Sequence, residues 1–251
     1  MQILTKQLSL AKKHPVITRI LRAGDLLLDI ETTGLSRAKH GIYLIGCGLV
    51  VDDNNIYVNQ LFAEQPSEEA ALLSEFSDFL MKKHVTRIIT FNGGSFDLPF
   101  LAARAEKYAL PLHLSGYELF DIYRELTNRK QLFCLANYRQ KTVEQFLGIC
   151  REDKYSGREL IAVYKSYTKS PDGDAEEVLL LHNCEDVLGM IDLLSIFAYE
   201  TLLKSPPELT GACIERYTDL DGASAEELIV TLTPPCPLPG RLSCKHPLTG
   251  A

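Results

Sequence analysis

Ten residues, Ile42 to Val51, form the longest apolar run of the chain, interrupted only by Gly46 and Gly48. The run is far short of the ~20 residues needed to span a bilayer, so no membrane segment is expected. It reads instead as a strand, joined by Asp52-Asp53-Asn54 as a turn to a second strand, Asn55 to Phe62. Leu26 to Ile30, apolar except for Asp29 and too short for a helix, is expected to be a buried strand ahead of them. Three consecutive strands therefore stand at the front of the fold.

Strands and helices then alternate. Ser67 to Lys83 carries apolar residues at 72, 73, 76, 79 and 80, a helical stripe. Ser67 is its candidate N-cap, with Glu68 and Glu69 in a first turn that favours negative charge. Arg87 to Phe91 is a fourth strand and Asn92-Gly93-Gly94 a turn. Ser95 to Tyr108 is a helix that tolerates Pro99 if it begins near Asp97. Glu118 to Phe120 is a short fifth strand, and Asp121 is the expected N-cap of the helix Ile122–Thr127. Further helices are expected over Leu135–Leu147, Gly157–Tyr167 and Ala175–Glu200. This order implies an α/β fold. Residues 1–23 are set apart as an N-terminal extension and 24–200 as the domain. Residues 201–251, with five prolines between 234 and 247 and one strand-like run, Glu227–Leu232, are a Pro-rich tail or the start of a second module.

Composition sets limits on function. Of 251 residues, 46% are hydrophobic and 24% charged, which excludes wholesale disorder. The net charge of −7 argues at first against a nucleic-acid partner. Its distribution softens that argument. Residues 122–170 hold 10 basic and 5 acidic side chains, whereas residues 171–230 hold 2 basic and 14 acidic ones. The basic stretch, interleaved with tyrosines, could track a single strand. The N-terminus has no secretory signal pattern, and the seven cysteines contain no CxxC pair, which suits reduced thiols and a cytoplasmic location. Cys236, Cys244 and His246 lack a fourth partner at zinc-like spacing.

Three stretches can carry chemistry. In Leu28-Asp29-Ile30-Glu31-Thr32-Thr33-Gly34-Leu35, two carboxylates two apart on a strand point to one side, ~7 Å apart along it. Two such unpaired charges become tolerable at a strand end if a divalent cation neutralises them. In the second, a strand runs through Asn92-Gly93-Gly94 into a helix with Asp97 in its first turn. In the third, His182 and Asp186 are four apart on one long helix and share a face, while Glu185 projects about 100° away and is read as a solvated neighbour.

Taken in order, DIETTGL, NGGSFDLPFL and the late His182…Asp186 pair resemble the DEDD-type 3′–5′ exonucleases of the ribonuclease H-like superfamily. The phrases NGxxFDxPFL and His182-Asn183…Asp186-Val187 look most like the YprB-like branch. The resemblance covers roughly residues 24–200. It implies a mixed β-sheet, three antiparallel strands followed by parallel ones, flanked by helices. It also implies two divalent cations, Mg²⁺ or Mn²⁺, held by Asp29, Glu31, Asp97 and Asp186. By that likeness Asp29 would bridge both ions, Glu31 and Asp186 would complete the water-activating site, and Asp97 would act on the leaving-group ion. His182 would be the general base, although it stands at the spacing where the family places a tyrosine. Thr32, Thr33, Gly34, Leu35, Asn92 and Phe96 would contact substrate, with backbone amides of Thr32–Leu35 free to hold the terminal nucleotide. The implied partner is nucleic acid, at single-stranded ends. A structure-selective endonuclease and a non-catalytic nucleic-acid-binding module are the alternatives. A dinucleotide enzyme is disfavoured, since Gly46-Cys47-Gly48 lacks the third glycine and leads into a strand.

Overall fold

The computed structural model describes residues 1–10, 14–133, 135–218 and 220–240, the side chains of residues 202 and 203 excepted. Cys134, Cys244 and His246 lie outside the described residues. Six strands form one mixed sheet: β1 (Gln2–Ser9), β2 (Asp25–Thr32), β3 (Ile42–Val50), β4 (Asn55–Phe62), β5 (Arg87–Thr90) and β6 (Glu118–Asp121). Their order is β1-β4-β3-β2-β5-β6. The β1–β4, β4–β3 and β3–β2 pairs are antiparallel, while β2–β5 and β5–β6 are parallel. The expected mixed α/β sheet is therefore found, with one antiparallel strand more than the reading supplied. That strand, β1, comes from residues assigned to the N-terminal extension. Only Ile3, Leu4 and Leu8 of this edge strand are apolar, too little apolar content to stand out in sequence.

Helices cover both faces. On one side α2 (Glu69–Lys82) and α3 (Asp97–Lys107) pack on Leu26, Leu28, Ile30, Ile45, Cys47 and Leu49. On the other lie α1 (Pro15–Ile20), α4 (Ile122–Thr127), α5 (Gln140–Leu147) and α7 (Gly173–Leu193), over Leu27, Val50 and Ile56. Between α5 and α7, α6 (Gly157–Tyr167) stacks Tyr164 on Tyr43, ring centroids 4.0 Å apart. The period-2 alternation of β2 sends Leu26, Leu28 and Ile30 to one face and turns Leu27, Asp29 and Glu31 to the α7 face.

Two buried ion pairs fix the frame. Arg87 at the start of β5 forks onto Asp25 at the start of β2 (2.9 and 2.6 Å) and onto the Ile20 carbonyl. Glu69 accepts from Arg104, Tyr108 and the Ile42 amide, tying α2 to α3 and β3.

Several local expectations are corrected. Ser67 is not the N-cap of α2; a 3-10 turn, Pro66–Glu68, precedes the helix with Gln65 as its cap. Glu69 does stand in the first turn of α2, and is buried there in the network above. The helix expected from Leu135 begins at Gln140. The long helix stops at Leu193, turns as 3-10 over Leu194–Phe197 and resumes as α8 (Ala198–Lys204). Residues 194–197 are all buried, and a straight helix with a single apolar face could not bury four in a row. In the tail, β7 (Glu208–Thr218) pairs antiparallel with β8 (Ser224–Thr233) as a separate two-stranded ribbon. The chain then returns to the domain: Cys236 is buried, and Tyr199 donates to the Gly240 carbonyl.

Candidate metal centre

The approach of α7 to the sheet builds the site, and two small residues permit it. A side chain on Gly46 would put its Cβ 2.3 Å from the Asn183 Oδ1, and one on Gly48 would sit 2.9 Å from Val187. The glycines that interrupt the longest apolar run thus let α7 lie close against β3. Asn183 is fully buried there. Gln60 of β4 donates to its Oδ1 (3.0 Å), which leaves its Nδ2 to donate to the Asp29 Oδ2 (2.9 Å).

One turn of α7 presents His182 and Asp186 beside Glu31. The His182 Nε2 is 3.1 Å from the Asp186 Oδ2 and 3.4 Å from the Glu31 Oε1. One ligand atom each from Glu31, His182 and Asp186 lies within 4.8 Å of the others. Asp97, in the first turn of α3 and buried, accepts from the Ile30 amide (3.1 Å), so it sits behind the strand that carries the other two acids. Asp29, Glu31, Asp97, Asp186 and His182 are therefore gathered from three elements, and each of the acids lies in the field of the others.

That crowding shows in their proton affinities. Burial, reinforced by the charges of Asp186, Glu31 and Asp97, raises Asp29 well above the usual carboxylate range. Burial pushes Glu31 up to about 8 and Asp97 up to about 7. Burial would by itself lower His182, but the Asp186 hydrogen bond and the charges of Asp186, Glu31 and Asp153 outweigh it and hold the ring at about 9. Burial likewise opposes ionisation of Asp186, yet His182 and Arg151 keep its carboxyl low. Among the described residues Asp29, Glu31 and Asp97 meet no lysine or arginine in a salt bridge, so an added cation could take up their charge. The donor set, hard oxygens plus one imidazole, fits divalent cations.

Three further residues belong to the site. Asp153 meets the His182 Nδ1 at 2.7 Å, and Arg151 reaches the Asp186 Oδ1 at 2.5 Å and the His182 carbonyl at 3.3 Å. Both come from the loop between α5 and α6. Glu185, expected to be solvated, accepts from the amides of Glu152 and Asp153 (both 2.9 Å) and so pins that loop to α7. It stands apart from the candidate ligands, as its helical position implies. Asn183 is the third, and its place directly after His182 was the available signal. For Arg151 and Asp153 the sequence offers only a charged run, with nothing to say that it folds back on α7.

Among the residues expected to contact substrate, Leu35 is 84% exposed, while Thr32 is buried and donates to the Gly34 carbonyl. The Thr33 amide is not free; it donates to the Gly41 carbonyl (2.9 Å). Gly34 lies against the His40 ring. The Asn92 amide is held by Asp121, which also accepts from the Gly94 and Arg124 amides, so Asp121 is the expected N-cap and a loop anchor as well. Phe96 packs its ring on Phe100, centroids 5.4 Å apart.

A mixed sheet of this order, with acids at the ends of β2 and the start of α3 facing a long C-terminal helix, defines a ribonuclease H-like α/β domain. The chain belongs to the RNase_H superfamily, whose sequence model matches residues 26–198. It is 32% identical to YprB of Bacillus subtilis over 172 residues, 66% of this chain and 40% of that protein. It is 30% identical to MJ0365 of Methanocaldococcus jannaschii over 176 residues, 68% of this chain and 93% of the relative. A DNA polymerase of Pyrococcus glycovorans is 42% identical over 59 residues, 23% of this chain and 8% of that protein. In fold the chain is similar to the family B DNA polymerase of Pyrobaculum calidifontis, with a TM-score of 0.54 and 16% identity over 71% of this chain and 24% of that one.

Proposed function

We propose that the chain is a metal-dependent 3′–5′ exonuclease that hydrolyses phosphodiester bonds of DNA or RNA. The observation that carries this reading is the meeting of Glu31, His182 and Asp186 within 4.8 Å of one another, with the buried Asp29 and Asp97 in the field of Asp186. Likeness to parts of two DNA polymerases supports a nucleic-acid substrate. Asp29, Glu31, Asp97 and Asp186 would hold the ions, Mg²⁺ or Mn²⁺. When bound, two such cations polarise the scissile phosphate and stabilise charge on the attacking and leaving oxygens.

The protein's own groups do the remainder. His182 is assigned to receive the proton of the attacking water at Nε2, a role open to it once the Glu31 and Asp186 charges that hold the ring protonated are neutralised by cations, while Asp153 fixes the ring through Nδ1. Asn183 orients the Asp29 carboxylate, and Arg151 holds one oxygen of Asp186 so that the other faces the cluster. Phe96 and the Thr32–Leu35 turn flank the acids and are assigned to the terminal nucleotide.

The test is a 5′-labelled oligonucleotide incubated with Mg²⁺ or Mn²⁺. The expected result is a ladder of products shortened from the 3′ end, lost in Asp29→Ala. Absence of cleavage with either metal on single- and double-stranded DNA and RNA would overturn the reading. Cleavage of a circular substrate would replace the exonuclease with an endonuclease on the same site.

A further inference from the structure

A cavity of about 400 Å³ opens at the end of the sheet where β2 stops and β3 begins, the end that also carries Glu31. Its walls include Thr33, Tyr43, Arg104 and three lysines, Lys39, Lys107 and Lys165, that come from three separate segments of the chain. Arg104 is neutralised by Glu69. The three lysines are exposed, and none has a carboxylate partner among the described residues. Lys107 lies 5.2 Å from the centre of the Tyr108 ring, which leaves its charge available. The cavity therefore carries three uncompensated positive charges. It adjoins the acid cluster: Thr33 lies two residues past Glu31, and the buried Tyr43 hydroxyl faces Glu31 without a partner at full hydrogen-bond geometry.

The stretch expected to supply the basic track does less than its composition suggests. Arg124, Arg129, Lys141 and Arg151, four of its ten cations, are engaged with acids of the same domain. Only Lys165 of that stretch reaches the cavity. A strand whose end lies among four carboxylates is repelled there, and a cationic patch nearby offsets that repulsion through phosphate contacts.

We propose that this cavity is a phosphate-binding subsite for the nucleic-acid strand whose end lies at the carboxylates, with Lys39, Lys107 and Lys165 as its phosphate contacts. The inference rests on the nuclease reading and adds to it a binding surface that the acidic motifs do not contain.

The test measures binding without catalysis. A 5′-fluorescein single-stranded oligonucleotide is titrated with the protein in EDTA, by fluorescence anisotropy, across a series of salt concentrations. Each phosphate contact contributes about 0.7 to the slope of log affinity against log salt on a single strand. The triple variant Lys39→Ala, Lys107→Ala, Lys165→Ala should therefore lose about 2 from that slope, and Lys130→Ala, an exposed cation away from the cavity, should lose nothing. The substituted lysines are on the surface, so an unchanged circular dichroism spectrum is expected. If the parent cleaves oligonucleotides while the triple variant keeps the parental slope and affinity, the subsite is wrong and the nuclease reading stands. If the parent neither binds nor cleaves, the nuclease reading fails and the subsite falls with it.

Discussion

Replacing Gly46 with alanine tests the step on which the whole site depends, the close approach of α7 to β3. The new Cβ would lie 2.3 Å from the Oδ1 of Asn183 and 2.8 Å from its Cγ, where ordinary contact begins near 3.4 Å. Asn183 is fully buried and held by Gln60 on one side and Asp29 on the other, so it cannot swing away freely. Helix α7 must therefore move out by about 1 Å, or Asn183 must give up both hydrogen bonds. Overpacking of this kind costs about 1–3 kcal/mol, and each lost hydrogen bond about 1 kcal/mol more. A total of about 1–5 kcal/mol, the upper part if both hydrogen bonds are lost, is expected in urea denaturation. Because His182 and Asp186 ride on the same helix, a shift of that size should also lower the turnover of a nuclease about 10²-fold and shrink the thermal shift given by Mn²⁺. Gly48→Ala is the comparison: its Cβ overlaps less, meeting methyl groups of Val187 at 2.9 Å and Ile56 at 3.1 Å and no hydrogen-bonded group, so it should cost less and keep the metal response. The double variant Gly46→Ala, Asn183→Ala removes the clashing group and should recover part of the packing loss, a non-additive result expected only of residues in contact. A Gly46→Ala protein within ~0.5 kcal/mol of the parent, with an unchanged metal response, would show that α7 is not held against β3 in this way.

Two further predictions concern charge. Arg151 sits among Asp186, the buried Glu144 and Glu185, so Arg151→Ala should leave carboxylates uncompensated and cost about 3–5 kcal/mol in urea denaturation, whereas a loss below 1 kcal/mol would mean that the loop does not depend on the guanidinium. The second is pH dependence without metal. Asp29 is raised, Glu31 stands at about 8 and Asp97 at about 7, so the folded protein keeps protons that the unfolded chain has released, and stability falls as pH rises from about 4 through 8. His182, raised to about 9, adds stability that is full below about 6.5 and is lost as pH climbs through 9. In EDTA the melting temperature should therefore decline from pH 5.5 to 9, and Mn²⁺ should raise it more at pH 8 than at pH 5.5. A metal response independent of pH would contradict the assignment of these acids as ligands.

Sequence alone settled whatever depends on local period. Two carboxylates two apart on a strand share a face, and an imidazole and a carboxylate four apart on a helix share another, so Asp29 with Glu31 and His182 with Asp186 could be paired on the line of text. Apolar runs and turns likewise marked the five strands β2 to β6 along the chain, but β1 went unseen because an edge strand with one solvated face carries little apolar signal. Tertiary structure decided the rest. Only the fold brings the 149–156 loop onto α7, so that Asp153 meets His182 and Arg151 meets Asp186, contacts spanning 29 and 35 residues of chain. Only the fold turns Gly46 from a break in an apolar run into the point where Asn183 reaches Asp29. Side-chain spacing is a property of the backbone repeat and can be read along the sequence. The distance between two elements is set by which side chains are absent from the face between them, and that is visible only once the faces are known.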